Sequence, residues 1–370
     1  MTARKAISML HRYTGLAVGL LLVLSGLSGS LLVFREEIET LIHPEWMRTV
    51  PREERVSLQS VLETVQHAYP KDRPLFIRIP RTPQQTYLIK LNNAHDLFIY
   101  VDPYTGKILG EHRQEDTVTG WIALLHTELL SGETGEIILG FGALLLVGMC
   151  ISGVILWWPR NRKFLPGLRV QWSAPWKKVN FDVHRASGIY AGFFILFTAI
   201  TAASLVFDKT AASMLNAITQ SQPRPAPPVS HPRQAGGSLP SLDRMLHQAD
   251  KILPAVTTWI GLPRNAEAPM VVRKKYAGEW HPNGRNFIYM DQYSGKVLQV
   301  ENVLTSPVGT RILNTFYPIH IGVIGGTTTR IIQLIIGMIP LILLFTGGIM
   351  WWNRRKLLQT QLPRKSSVIH

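Results

Sequence analysis

The chain has 370 residues, 46% of them apolar, a formal net charge of +15 and one cysteine. The lone Cys150 excludes an intrachain disulfide, a Cys-ligated zinc and an Fe–S cluster. The basicity is confined to residues 1–12, 159–185 and 353–370, which hold all but one unit of the net charge; that segregation excludes nucleic acid as its cause.

Residues 1–35 begin with Arg4, Lys5 and Arg12 and continue into the uncharged run Tyr13–Phe34, 22 residues long. At about 1.5 Å per residue such a run makes a helix of about 33 Å, enough to cross a hydrocarbon core about 30 Å thick. The basic flank and the small residues Ser28–Ser30 resemble a cleavable signal peptide, but the run has a twin later in the chain that must be retained, which argues against cleavage. Residues 36–116 read as a small α+β unit. Leu58–Tyr69 has the pattern of an amphipathic helix, while Leu75–Ile79, Tyr87–Leu91 and Leu97–Val101 alternate and carry β-branched residues, which predicts strands. The last of these runs into Asp102-Pro-Tyr-Thr-Gly106-Lys107, where the glycine suits a tight turn requiring a positive φ. Residues 117–135 form an amphipathic segment in which Gly132 is expected to break the helix before the second span, 136–159, with its uncharged run Ile137–Trp158.

A basic loop, 160–183, leads to the third span, 184–208. Residues 209–238 include Gln222–Gly237, rich in Pro, Gly and Ser and expected to be an extended linker. A second α+β unit, 239–303, repeats the first: a helix over Leu242–Leu253, strands near Val256–Ile260, Met270–Arg273 and Phe287–Met290, and the turn Asp291-Gln-Tyr-Ser-Gly295-Lys296. A second amphipathic segment, 304–329, precedes the fourth span, 330–353, and a basic tail, 354–370. With four spans all three basic segments fall on one side. Lys and Arg accumulate on the cytoplasmic side, so both termini and the central loop are expected there, with both α+β units exported.

The chain repeats itself. His11-Arg12-x-x-Gly15-x-x-x-Gly19 and the closing Leu32-Val33-Phe34 recur as His184-Arg185-x-x-Gly188-x-x-x-Gly192 and Leu205-Val206-Phe207, at one offset of 173 residues and without a gap. Ser25 and Ser28 meet Thr198 and Thr201 at that offset. His126, Gly132, Gly153, Trp157-Trp158 and Arg160 recur as His320, Gly326, Gly347, Trp351-Trp352 and Arg354 at an offset of 194. The expected fold is an integral membrane α-helical protein of four transmembrane helices in two tandem repeats, each with an exported α+β unit.

A helix followed by strands that end in Asp-x-Tyr-[Ser/Thr]-Gly-Lys resembles a PepSY domain. With His-Arg-x-x-Gly helices before it and a Trp-Trp-x-Arg exit, nearly the whole chain resembles the PepSY-associated transmembrane family. That resemblance implies an inner-membrane location in bacteria, with the α+β units periplasmic. The family includes haem-carrying ferric-siderophore reductases.

Histidine is the commonest protein ligand to haem iron, and ionisable residues set against membrane helices are functional candidates. Equivalent positions of a duplicated unit meet about a pseudo-two-fold axis. His11 is therefore expected to pair with His184 at the cytoplasmic face and His126 with His320 at the exported face, giving two sites for haem b iron. Pairing His11 with His126 would stretch one iron site across about 30 Å of bilayer and is excluded. Gly15 and Gly19 share a helical face with His11, as Gly188 and Gly192 do with His184; a flat macrocycle needs such a bare face, and so does close helix packing. The bland reading of His11 and His184 is contact with lipid headgroups, and of His126 and His320 solvated loop residues. His43, His67, His95, His112, His231, His247 and His281 have no repeat partner and are expected at the surface.

The resemblance implies a di-haem transmembrane oxidoreductase that reduces a periplasmic ferric siderophore from Fe(III) to Fe(II). Hard oxygen chelators hold Fe(III) far better than Fe(II), so one-electron reduction releases the iron. No Gly-x-Ser-x-Gly, His-Glu-x-x-His or phosphate-binding loop is present, and no nucleotide fingerprint, so the electron donor is expected to be a cytoplasmic protein or a quinol. The competing class is a haem-free membrane-anchored binding or regulatory module. A transporter is disfavoured because the repeats run parallel rather than inverted.

Overall fold

The computed structural model describes residues 1–92, 96–159, 163–231 and 240–360. His95, the basic residues Arg160, Arg162, Arg364 and Lys365, and positions 232–237 of the expected linker lie outside the described residues. In chain order the helices are α1 (Ala3–Leu32), α2 (Arg35–Ile42), α3 (Pro44–Met47), α4 (Leu58–Ala68), α5 (Val118–Glu128), α6 (Gly132–Trp157), α7 (Leu165–Leu168), α8 (Trp176–Val206), α9 (Asp208–Thr219), α10 (Leu242–Ile252), α11 (Val308–His320) and α12 (Gly326–Thr360). The strands are β1 (Arg73–Arg78), β2 (Tyr87–Asn92), β3 (Leu97–Val101), β4 (Ile108–Arg113), β5 (Val256–Gly261), β6 (Met270–Lys275), β7 (Asn286–Met290) and β8 (Val297–Glu301).

Helices α1, α6, α8 and α12 are long and apolar enough to cross a membrane. They form a ring in which α1 and α8 each pack on both α6 and α12, so α1 and α8 occupy opposite corners. Small residues bring the backbones close: a Cβ on Gly26 of α1 would collide with the Gly337 carbonyl of α12, and Ser30 donates to the Leu334 carbonyl at 2.8 Å. The outward faces carry bare apolar side chains such as Leu20, Phe141, Phe193 and Phe345, a surface suited to lipid. Both α1 and α8 start well before their uncharged runs, so His11 and His184 lie within continuous helix.

Gly132 and Gly326 adopt φ of +57° and +64°, a region that costs glycine nothing, and at each the chain turns into a membrane-length helix. The preceding helices fold back as their apolar residues suggest: α5 lies on α1 and α6, and α11 lies on α8 and α9. At the mouth, Arg330 of α12 donates to the Val33 carbonyl at 2.6 Å and to both oxygens of Glu37 at 2.6 and 2.7 Å, closing the end of α1.

The strands form one antiparallel eight-stranded sheet, ordered β4-β3-β2-β1-β5-β6-β7-β8. Local pattern marks the strands but not the seam between β1 and β5, where Phe76, Ile77 and Arg78 pair with Gly261, Ile260 and Trp259. Two four-strand meanders thus meet at their first strands. The turn glycines Gly106 and Gly295 take φ of +69° and +71°, and the Asp102 and Asp291 carboxylates accept from the backbone amides of Tyr104 and Tyr293. Helices α4 and α10 cover one face, over a single core that joins Val61, Val65, Ile77 and Ile89 to Met245, Ala249, Ile260 and Ile288.

The two helices also cap one another. Asp243 of α10 accepts from the Leu58 and Gln59 amides of α4 at 2.9 and 3.0 Å, and the Leu242 amide donates to Gln59 Oε1 at 3.1 Å. A carboxylate at a helix N-terminus satisfies amides that have no partner within the helix. Asp243→Ala is therefore expected to cost about 1 kcal/mol, as loss of a helix cap does, and to lower the melting temperature of the detergent-solubilised protein in a thermal scan.

Candidate functional site

His126 sits in the last turn of α5 and His320 in the last turn of α11. The Nδ1 of His126 lies 3.0 Å from the Ser25 carbonyl and 3.2 Å from Ser28 Oγ, both on α1. His320 reaches α8, with Nδ1 at 3.2 Å from Thr201 Oγ1 and a further hydrogen bond to the Thr198 backbone. The two ring centroids lie 6.2 Å apart, with planes inclined by 40°.

The other two histidines lie at the far end of the bundle, each likewise against a hydroxyl of a neighbouring helix. His11 Nδ1 lies 2.9 Å from Ser152 Oγ of α6, and His184 Nδ1 lies 2.8 Å from Thr346 Oγ1 of α12. His11 and His184 are near enough for their charges to interact. Among the described residues no group of three or more His, Cys, Asp and Glu side chains is placed to hold a metal ion; the histidines come as pairs.

The hydroxyls fix the tautomer. Ser28 donates its proton to the Leu24 carbonyl, Thr201 to Phe197, Ser152 to Met149 and Thr346 to Ile342, at 2.6, 2.9, 3.0 and 2.6 Å. With that proton committed, each hydroxyl can only accept from the imidazole, so Nδ1 carries hydrogen in all four rings and each Nε2 keeps its lone pair. An imidazole whose other nitrogen donates to a fixed oxygen is the usual form of a metal-ligating histidine. Burial pushes the His126 ring below the ordinary histidine range, and burial followed by the neighbouring His126 charge pushes His320 down to about 4. Both are neutral near pH 7, the protonation state that can coordinate iron.

The spacing of the His126–His320 pair is compatible with two imidazoles on one iron. Two nitrogens at about 2 Å on opposite sides of one iron place the ring centroids about 6 Å apart, close to the observed 6.2 Å of the His126–His320 pair.

Sequence register brings Ser25, Ser28, Thr198 and Thr201 into view without giving them a role. The structure uses all four to hold histidines. Ser152 and Thr346 share the 194-residue offset as well and were open to the same comparison. Glycines do part of the positioning: a Cβ on Gly153 would lie 3.5 Å from His11 Cε1, on Gly347 3.4 Å from His184 Cε1, and on Gly29 2.7 Å from His126 Cε1. Gly15 and Gly19 instead face Met149 and Leu344, Gly188 faces Leu343 at 3.7 Å, and Gly192 has nothing within 4 Å of a would-be Cβ.

Two histidines expected at the surface are buried. His112 is 6% exposed, its ring 5.5 Å from Phe98 and 5.9 Å from Trp46. His281 is 5% exposed, against Arg273 and the Tyr317 ring. Neither has a histidine at the equivalent place in the other half, which is why register missed them.

The sequence profile described as the PepSY-associated TM region matches residues 8–354, from just before His11 to just after the second Trp-Trp pair. The chain belongs to the PepSY-associated transmembrane family. No curated protein matches it. All four histidines and the hydroxyls that hold them fall inside the matched region.

The glycine contacts separate two roles within this PepSY-associated TM region. Gly29→Ala puts a methyl group 2.7 Å from the His126 ring and is expected to cost about 1–3 kcal/mol through overpacking. Gly192→Ala enters open space inside a helix and is expected to be neutral or to stabilise by about 0.5–1 kcal/mol. Thermal unfolding of both variants beside the parent protein in one detergent checks the contrast.

Proposed function

We propose that this chain is a di-haem transmembrane electron-transfer protein of the bacterial inner membrane that reduces a periplasmic ferric siderophore. The observation that supports it best is the shared state of the four histidines, with Nδ1 tied to a neighbouring helix and Nε2 free, and with one pair at bis-histidine spacing. In this reading His126 and His320 hold one haem b at the sheet side, and His11 and His184 hold a second at the other end. Haem iron, when bound, exchanges one electron between its ferrous and ferric states. The chain's own part is to orient the imidazoles through their Nδ1 contacts and, at the sheet side, to keep His126 and His320 neutral.

The orientation follows from charge. Among the described residues Arg4, Lys5, Arg12, Lys163, Lys177, Lys178 and Arg354 lie at the end of the bundle away from the sheet, so that end is assigned to the cytoplasm and the sheet to the periplasm. Both halves are read as tandem copies of one exported unit and two helices. The donor is a cytoplasmic protein or a quinol. Reduction leaves Fe(II), which oxygen-donor chelators hold less tightly.

An absorption spectrum of protein purified after expression with ample haem tests the reading. A Soret band with sharpened visible bands on dithionite reduction is the expected result, and a colourless protein would leave the haem-free anchor in its place. His184→Ala is expected to remove about half of the haem and leave the sheet-side site loaded. Thr346→Ala keeps the imidazole but loses its Nδ1 acceptor, and is expected to weaken haem retention at that site by about 10–100-fold, read as haem lost to apomyoglobin over time.

A further inference from the structure

The two halves of the sheet differ on the face away from α4 and α10. Four positions match in register through the Asp102 and Asp291 turns: Phe98 with Phe287, Tyr100 with Tyr289, Gly110 with Gln299, and His112 with Glu301. In the first half this face is closed by an apolar plug. Trp46 of α3 stacks on His112 at 5.9 Å and on Tyr100 at 6.1 Å, in space that a side chain on Gly110 would fill. In the second half an arginine takes that role. Arg224 lies 4.8 Å over the Phe287 ring, bonded to Glu301 at 2.7 Å and to the Tyr289 hydroxyl at 3.2 Å.

More cations gather around it. Arg273 lies 5.4 Å over Phe287, donates to the Gly284 carbonyl at 2.9 Å and meets the His281 ring at 3.1 and 3.2 Å. Arg285 is half-buried, and its Nε is buried without a partner. Arg81 and Lys275 are also near enough to act on His281. The carboxylates facing the group are Glu36, 3.5 Å from Arg81; Glu301, committed to Arg224; and Glu279. One Glu279 oxygen accepts from the Tyr276 amide and Asn286, while the other is buried without a partner. Cations outnumber carboxylates, and burial, then the Arg285 charge, pushes the Arg273 guanidinium down to about 10. Arg224 is matched by Glu301, but Arg273 and Arg285 are drawn partly out of water with only Glu279 between them, which favours a bound anion.

The place of the cluster narrows what that anion is. His281 stacks on Tyr317 of α11 at 5.3 Å, and Tyr317 is one helical turn before His320. The rim is open to solvent, with Trp280 53% and Tyr317 38% exposed. An anion held by these arginines therefore lies on the side of the sheet that meets α11, the helix that carries His320, and is within reach from outside.

We propose that Arg224, Arg273 and Arg285, with His281 behind them, form the docking site for the iron(III) chelate, and that the site selects chelates of net negative charge bearing carboxylate or catecholate oxygens. This rests on the reductase reading for the identity of the ligand and concerns binding alone. The equivalent face of the first half is sealed by Trp46, so one half of the duplicated protein docks ligand and the other is structural.

Gallium(III) citrate tests the proposal, because it carries the charge of an anionic chelate and gallium is not reduced under these conditions. Calorimetric titration into the full-length protein in detergent is expected to show saturable binding. Affinity should fall at least tenfold in 0.5 M NaCl and at least tenfold in R224Q and in R285Q, while R285K stays within about threefold. Neutral gallium(III) maltolate is expected not to compete. Absence of gallium citrate binding to the parent protein, or equal affinity in R224Q, would overturn the proposal. So would displacement of the gallium complex by phosphatidylglycerol but not by excess citrate, which would assign the cluster to lipid headgroups. Arg224 sits at the rim, so R224Q decides the matter if R285Q does not fold. A colourless protein that binds gallium citrate in this pattern would sink the haem reading and leave the anion site standing; a haem-loaded protein that does not bind it would do the reverse.

Discussion

A serine or threonine inside an apolar helix has one proton to give, and the backbone carbonyl of the preceding turn is the nearest place to put it. Four hydroxyls in this chain do so and are left with lone pairs facing a neighbouring helix, where each receives the N–H of a histidine. Away from water the alternative for each group is an unsatisfied polar atom, so these contacts fix which helices touch and how far each ring is turned. The ring of helices follows, since α1 and α8 must each offer hydroxyls at the sheet side and carry a histidine at the other end.

The same economy runs through the sheet. The β1–β5 pairing removes two exposed edges at once, and the mutual capping of α4 and α10 removes two sets of orphan amides at the point where the halves meet. Each half alone would keep its own N-cap serine, Ser57 or Ser241, but would present an open first strand and leave the first helical amides at Leu58 and Gln59, or at Leu242, without a side-chain acceptor. Their union leaves only β4 and β8 as edges.

Much of this is written in the sequence because it is periodic or repeated. Uncharged runs of membrane length mark the spans, and the positive-φ glycines Gly132 and Gly326 mark where helices break. Constant offsets link His11 to His184 and His126 to His320. What the sequence withholds is non-local. Helical periodicity shows that Gly15 and Gly19 share a face with His11, but not that Met149 and Leu344 occupy it while Gly153 receives the His11 ring from the next helix. Alternation identifies β1 and β5 as strands, but the hydrogen bonds joining them have no local signature. Register highlights what the two halves share, and the burial of His112 and His281 belongs to where the halves differ.

The seam has a mechanical consequence. Helices α5 and α11 hang by short tethers from β4 and β8, the two outer edges of one continuous plate that is about 34 Å wide at about 4.8 Å per strand. The two sheet-side imidazoles are therefore the tips of a pair of calipers whose hinge is the β1–β5 seam. Each tip is also bonded to the bundle, His126 to α1 and His320 to α8, so sheet and helices fix the gap together. Two unjoined meanders would carry those tips on separate plates; the seam puts both on one sheet.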